Sequence, residues 1–507
     1  MVGMMVESVR DNKADMMDLT QEHKTGNYSI MHAFRLFVTV FSLISCWSSG
    51  YAVSGKPNFI LINVDDLGWT DLGCFGSTFY ETPHIDGLAG DGMRFTDAYA
   101  ACAVCSPTRA AIMTGRYPAR IGVTDWIRAR FQGGKIPANK KNPSHWVGGK
   151  GSKVLCPANA LWMESSELTI AELLKKVGYR SCHIGKWHLG ADDWYPEKQG
   201  FDENYGGCDY GQPPSYYDPF NNKRLDGIFG LPGRKKGQYL TDRETDEAIG
   251  FIDRNKDRPF FLYFANYAVH TPIQAKQSLM AKYKEKATQV KGRQKNAAYA
   301  TMVESVDQAV GRIRDKLQEL KISGNTVIMF TSDNGGLLGP TNNAPLRSGK
   351  GNPYEGGIRV PLIIYWPGVT KTGAVSPVPV TSVDYFPTIC GAVGLKAPDG
   401  LAIDGVDLMP VLKGEDSLGR EDLFWHFPHY RGRIMPYSII RSGNWKLLKR
   451  YVGKPYELFN LAEDIGEKEE LAEKMPNKVK ELDAKLVEWL KKTGAKVPKP
   501  NPDYAGK

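Results

Sequence analysis

Four apolar runs of strand length, each ending in groups that can do chemistry, constrain this chain more than any other feature. "FILINV" (59–64) ends in Asp65-Asp66, and "YRSCHIG" (179–185) ends in Lys186-Trp187-His188. "PFFLYFAN" (259–266) leads through "YAVHTP" to His270, and "TVIMFTS" (326–332) ends in Asp333-Asn334-Gly335-Gly336. Helical patterns separate the runs, the signature of an α/β fold with a mostly parallel sheet flanked by helices. The helix before the second run is well punctuated: Thr169 and Glu172 form a capping box, and Gly178 follows its end. In parallel α/β sheets ligands gather at the carboxyl ends of the strands, so the four endings are expected on one rim. Taken singly, each has an ordinary explanation. Acidic pairs cap helices, Asp-Asn-Gly-Gly makes a tight turn, and a lone histidine is usually a satisfied structural residue. Four such endings on one edge exceed what folding requires. Asp65, Asp66, Asp333 and the Asn334 carbonyl form a hard-oxygen set suited to Ca2+ or Mg2+ and poor for zinc.

The chain of 507 residues is too long for one ordinary core, so two domains are expected. Residues 1–54 read as an N-terminal extension and signal peptide, 55–375 as the catalytic α/β domain, and 376–507 as a smaller α+β domain. Within the first segment, Arg35 precedes an apolar run from Leu36 to about Ile44, too short to span a membrane, and Ala52-Val53-Ser54 offers a cleavage site. "Leu43-Ile44-Ser45-Cys46" also resembles a bacterial lipoprotein box that would lipidate Cys46, and Met31 is an alternative start. The expectation is export to the periplasm or beyond, with no transmembrane span. In the third segment Val479, Leu482, Leu486, Trp489 and Leu490 recur at helical spacing, which makes them core. His426 and His429 read as structural.

Removing residues 1–54 takes away four basic and five acidic side chains, so the formal net charge of +9 becomes +10. One window concentrates that excess. From Trp126 to Met163 there is no Asp or Glu, while Arg128, Arg130, Lys135, Lys140, Lys141, Lys150 and Lys153 are basic. Gly and Pro are frequent there, so it reads as a long loop, either solvated and idle or steering an anionic substrate. Eight cysteines in an exported chain suggest disulfides, but the spacing fixes no pairing.

Cys102 and Cys105 stand three apart in "ACAVCSPTRAAIMTGR". Pro107 suits a helix start and Gly115 the position past its end, which puts Cys105 at the N-terminus of a short helix. Backbone N–H groups there favour an anion, and Arg109 lies one turn on. A thiol beside a hard-oxygen metal site is mismatched to its neighbours.

These residues carry a resemblance. "CSPTRAAIMTG" and "GYRSCHIGKWHLG" (178–190) resemble the two signatures of the type I, formylglycine-dependent sulfatases of the alkaline phosphatase superfamily. "NVDDLGWTDLGCFG", "TPHIDGLAGDGMRFTDAYA", "SDNGG" and "GKGNPYEGGIRVP" (349–361) are similar to other blocks of that family in the same order, over roughly residues 56–495. The resemblance implies an alkaline phosphatase-like fold and conversion of Cys105 to Cα-formylglycine by a separate generating enzyme that reads Cys105, Pro107 and Arg109. Cys102 is then a bystander. It implies that Asp65, Asp66, Asp333 and Asn334 bind the cation together with modified Cys105. Arg109 would hold the modified side chain, and Lys186 and Lys350 would grip sulfate. His188 would deprotonate the second hydroxyl of the aldehyde hydrate, and His270 would protonate the leaving alcohol. The expected partners are a sulfated carbohydrate or aryl sulfate and the maturing enzyme, with no nucleic acid; the oligomeric state is open. The basic window and the aromatic "CDYGQPPSYYDPF" (208–220) suggest sugar-facing loops. Phosphonate or phosphate ester hydrolysis and non-catalytic glycan binding are the rival functions.

Overall fold

The computed structural model describes residues 55–506; the expected signal peptide and Cys46 lie outside the described residues. Eight strands form the main sheet: β1 (Asn58–Val64), β2 (Met93–Phe95), β3 (Arg180–Gly185), β4 (Glu203–Tyr205), β5 (Phe260–Ala265), β6 (Thr326–Ser332), β7 (Leu362–Tyr365) and β8 (Ala374–Ser376). Their spatial order is β8-β2-β7-β6-β1-β5-β3-β4, with β7 alone running antiparallel to its neighbours. The expected mostly parallel sheet is therefore present.

Alternation along the central strands feeds two apolar layers. Ile60, Ile62, Val64, Leu262 and Phe264 face one side. They pack there under α1 (Pro83–Asp91), α4 (Leu240–Asn255), α5 (Met280–Gln289) and α6 (Ala297–Glu319). Phe59, Leu61, Phe261 and Tyr263 face the other side. There they meet α2 (Cys105–Thr114), α3 (Ile170–Lys176) and α7 (Tyr385–Ala392). Each fully buried large side chain of this kind contributes about 1.5–3 kcal/mol, so the sheet is the rigid part of the molecule.

Register then fixes the rim. Val64 pairs with Ser332, Ile62 with Phe264, and Gly185 with Ala265. The four strands consequently end within about one residue of one another, and their following residues share one edge.

A second sheet is a meander of β9 (Asp422–Phe427), β10 (Tyr437–Ser442), β11 (Trp445–Arg450) and β12 (Tyr456–Asn460). One face buries Ile440, Leu447 and Leu458 against Leu482, Leu486, Trp489 and Leu490 of α8 (Pro476–Lys492), the helical stripe expected from the sequence. The other face buries Trp425, Phe427 and Ile439 against Tyr99, Cys102 and Val104, the segment that leads into α2. Trp425 Nε1 donates to Ala100 O at 2.7 Å, and Lys446 Nζ donates to Glu355 (2.9 Å) and Glu467 (2.7 Å) in a buried ionic cluster. The small sheet thus clamps the approach to Cys105 and the turn before Glu355.

Val380–Thr381 pairs with Ala98–Tyr99 and α7 packs on the main sheet, so the antiparallel layer opens only at Asp422. Among the described residues all seven cysteines are free, so the disulfides suggested by the cysteine count are not formed. No helix of the described residues is long and apolar enough to cross a membrane.

Candidate active site

Asp65 and Asp66 leave β1 directly, and Asp66 turns away through a left-handed backbone (φ 61°). Strand β6 delivers Asp333 and Asn334 beside them: Asp66 N donates to Asp333 Oδ1 at 3.2 Å and Asn334 Nδ2 to Asp66 Oδ1 at 2.8 Å. Helix α2 begins at Cys105 and is closed by Gly115 in the left-handed region, as the sequence pattern requires. It is buried along its whole length, and Cys105 Sγ lies 3.7 Å from Asp65 Oδ1. One turn on, Arg109 reaches Asp333 Oδ2 through Nε (2.8 Å) and the Lys186 carbonyl through Nη1 (2.6 Å).

Lysines supply the remaining charge. Lys186, just past β3, donates to Asp65 Oδ2 at 2.7 Å. Lys350 approaches from the turn 349–351 and donates to Asp66 Oδ2 at 2.7 Å. His270 Nε2 stands 3.5 Å from the same oxygen. One ligand atom each from Asp65, Asp66, Cys105 and His270 fall within 4.8 Å of one another. Of the residues singled out from sequence, only His188 stands outside this knot of direct contacts.

Three carboxylates face Arg109, Lys186 and Lys350 in an almost completely buried cluster. Burial opposes ionisation of every carboxyl in it. For Asp66 burial is the largest single influence, but Lys350, His270 and Lys186 together outweigh it and hold the group below the usual carboxylate range. For Asp65, burial together with the neighbouring Asp333 and Asp66 outweighs Lys186 and pushes the carboxyl well up. Burial is also the largest influence on Asp333, but Arg109, Lys186 and Lys350 together outweigh it and hold the carboxyl down. Burial also pushes the Cys105 thiol up to about 11, so as a plain cysteine it is neutral near pH 7, a weak nucleophile and a poor ligand for a hard cation.

The donor set fits a hard divalent cation. Its members are oxygen-rich and rigidly held, and the buried Oδ1 of Asn334 has no hydrogen-bond partner.

The two histidines present opposite nitrogens. His188 Nε2 lies 2.6 Å from the Ile127 carbonyl, which only accepts, so Nε2 carries the proton and the lone pair sits on Nδ1. Nδ1 is buried with no partner. Burial, then Lys186 and Arg109, push this imidazole well below its ordinary value, so it is neutral. His270 is the reverse: Nδ1 donates to the Thr271 carbonyl at 2.9 Å, leaving Nε2 toward Asp66. Burial and Lys350 lower it to about 3, against the pull of Asp66. His426 and His429 are buried and bonded to Ser438 and Thr124, in keeping with a structural role.

Local pattern did not reveal the supports of His188. Ser106 Oγ donates to the His188 carbonyl at 2.8 Å, and His188 N donates to Cys208 O at 3.0 Å. Gly211 lies against the ring: a β-carbon built there would be 2.6 Å from Cε1 and 2.8 Å from Nε2. Gly211→Ala is therefore expected to tilt the imidazole and lower kcat about 10²-fold. Tm should hardly move. Steady-state kinetics beside a melting curve check this, and an unchanged kcat contradicts it.

Tyr216 and Phe220 are fully buried, and Tyr216 Oη donates to the Tyr267 and His270 carbonyls at 2.6 and 2.8 Å. Tyr216 thus supports the His270 loop, while Tyr210 and Tyr217 of the same stretch are only partly buried.

Comparison with known proteins agrees with this geometry. The sulfatase family model matches residues 57–395, and the model described as N-sulphoglucosamine sulphohydrolase, C-terminal, matches 349–496. A sulfatase of Formosa agariphila is 33% identical, covering 89% of this chain and 94% of that protein. The N-acetylgalactosamine-6-sulfatase of Homo sapiens is 36% identical over 72% of this chain and 67% of that one. The crystal structure of Ps i-CgsB has a TM-score of 0.71 at 34% identity, covering 86% of this chain and 93% of that one. Its complex with k-i-k-neocarrahexaose gives 0.72 at 33%. Family match, relatives and rim geometry converge: the chain belongs to the sulfatase family and is a hydrolase of sulfate esters.

Proposed function

We propose that this sulfatase removes sulfate from a sulfated carbohydrate, using Cys105 converted to formylglycine and a cation, Ca2+ or Mg2+, held by Asp65, Asp66, Asp333 and Asn334. The carbohydrate reading is carried by the relatives: one is named for a sulfated amino sugar, and another was crystallised with a neocarrahexaose. Phosphate or phosphonate ester hydrolysis and retired glycan binding are less well supported, since no position of the expected site is lost. When present, the cation and the aldehyde hydrate supply a polarised sulfate oxygen and an oxygen nucleophile.

The chain's own residues do the rest. Arg109 fixes the first turn of α2 against Asp333, so position 105 cannot drift. Lys186 and Lys350 are compact point charges within reach of the carboxylate oxygens, and they pass to the sulfate oxygens when substrate enters. His188 accepts a proton at Nδ1. His270 donates one from Nε2: an anionic sulfate ester between the lysines offsets the charge that depresses the imidazole, so its proton affinity rises on binding. Export of the chain, inferred from residues 31–54, is part of the same reading. Cys105, Pro107 and Arg109 are buried, so a maturing enzyme must reach them before α2 docks.

A panel of sulfated oligosaccharides run against 4-nitrophenyl sulfate tests the substrate class; turnover of aryl esters alone would overturn it. His270→Ala refines the assignment. A poor leaving group needs the acid and a nitrophenolate does not. The variant should therefore lose about 10²–10⁴-fold in kcat/KM on sugar sulfates and far less on the aryl ester. Equal losses on both would remove His270 from that role.

A further inference from the structure

We infer that Arg128, stacked on Trp126, and Arg431, set against the turn that carries Lys350, form a subsite for a second anionic group of the substrate. That group is a sulfate ester or a uronate carboxylate on the same sugar or its neighbour. This rests on the carbohydrate reading above. Ile127 is buried and its carbonyl anchors His188, so the residues on either side of it are tied to a catalytic imidazole. Trp126 is half-buried, with its ring 6.4 Å from that of His188. Arg128 is exposed, and its guanidinium lies over the Trp126 indole at 5.8 Å. A stacked guanidinium keeps its in-plane donors free for an oxyanion.

Two other basic residues of the acid-free window are already engaged. Arg130 pairs with Asp209 and Asp192, and Lys140 with Asp193. Among the described residues no carboxylate forms an ion pair with Arg128 or Arg431; Asp125, in the field of both, is pushed up to about 6 by burial and accepts from Trp126 N at 2.8 Å.

Arg431 arrives from a different part of the chain. It sits on the tight turn after β9, where its backbone pairs with Ile434. Its guanidinium lies against the turn that carries Lys350: a β-carbon built on Gly351 would be 3.2 Å from Nη1 and 3.4 Å from Cζ. Nη1 is buried with no hydrogen-bond partner. A buried donor left unmade is costly, so folding alone gives a poor reason for placing it there. Two guanidiniums distant in sequence therefore share the field of Asp125, one stacked on Trp126 and one against the Lys350 turn. An oxyanion supplies the missing acceptors in bidentate geometry. Lys186 and Lys350, bound to Asp65 and Asp66, face the scissile sulfate instead.

The test compares kcat/KM on matched oligosaccharides carrying one sulfate, two sulfates, or one sulfate and one uronate. Wild type should prefer a doubly anionic substrate by about tenfold or more, and Arg128→Ala with Arg431→Ala should bring that ratio close to one, mainly through KM. The two doubly anionic substrates distinguish sulfate from carboxylate. The wild-type preference should also shrink as salt is raised, a readout that needs no variant. A wild type without preference, or a preference that survives both substitutions, overturns the subsite while leaving the carbohydrate reading intact. Hydrolysis of aryl sulfates alone overturns both.

Discussion

Cys105→Ala is expected to abolish turnover, with kcat falling on the order of 10⁶-fold, because it removes the group on which the other site residues act as a unit. The substitution is small and α2 stays packed, so the melting temperature should change little. Cys105→Ser is the more informative variant. A serine hydroxyl in the same place can take the sulfuryl group once, but it has no second hydroxyl with which to expel it. The expected result is one equivalent of alcohol released per active site, then arrest with sulfate covalently retained on residue 105. Rapid-quench kinetics and peptide mass analysis check this, and steady multiple turnover by either variant would contradict it.

The second large effect is on stability. Arg109 is fully buried, holds Asp333 at 2.8 Å and caps the Lys186 carbonyl at 2.6 Å. Arg109→Leu keeps much of the volume but leaves Asp333 and a carbonyl in the interior without their donor. Breaking a buried pair from one side costs about 3–5 kcal/mol. Arg109→Lys should recover only part of this, since one ammonium cannot reproduce a fork that serves two acceptors on different strands. Denaturant unfolding of the three proteins measures the series. A loss under about 1 kcal/mol for Arg109→Leu would mean that Asp333 is held by the lysines alone.

Much of this was legible before the fold was known, and physics explains which part. The ends of β1, β3, β5 and β6 were readable because apolar runs report burial locally, and strand polarity places their endings on one edge. The capping box of α3 and the Gly115 stop of α2 were readable for the same reason, being decided within a few residues. Strand order, the antiparallel β7 and the late start of the small sheet at Asp422 depend on long-range packing that no window encodes. Aromatic composition left burial open: Tyr216 and Phe220 look the same in a sequence whether they lie at the surface or support a histidine loop. Gly211 and Arg431 escaped notice because each matters through one close approach to a residue far along the chain.

The account depends most on the chemistry of position 105, where a neutral thiol 3.7 Å from Asp65 sits among oxygen ligands it does not suit. Peptide mass analysis of purified, active protein, from a host that possesses the generating enzyme, tests this directly. The predicted result is a residue 105 that has lost its sulfur and reacts as an aldehyde, in proportion to specific activity. Full activity from protein whose residue 105 still carries its thiol would contradict it.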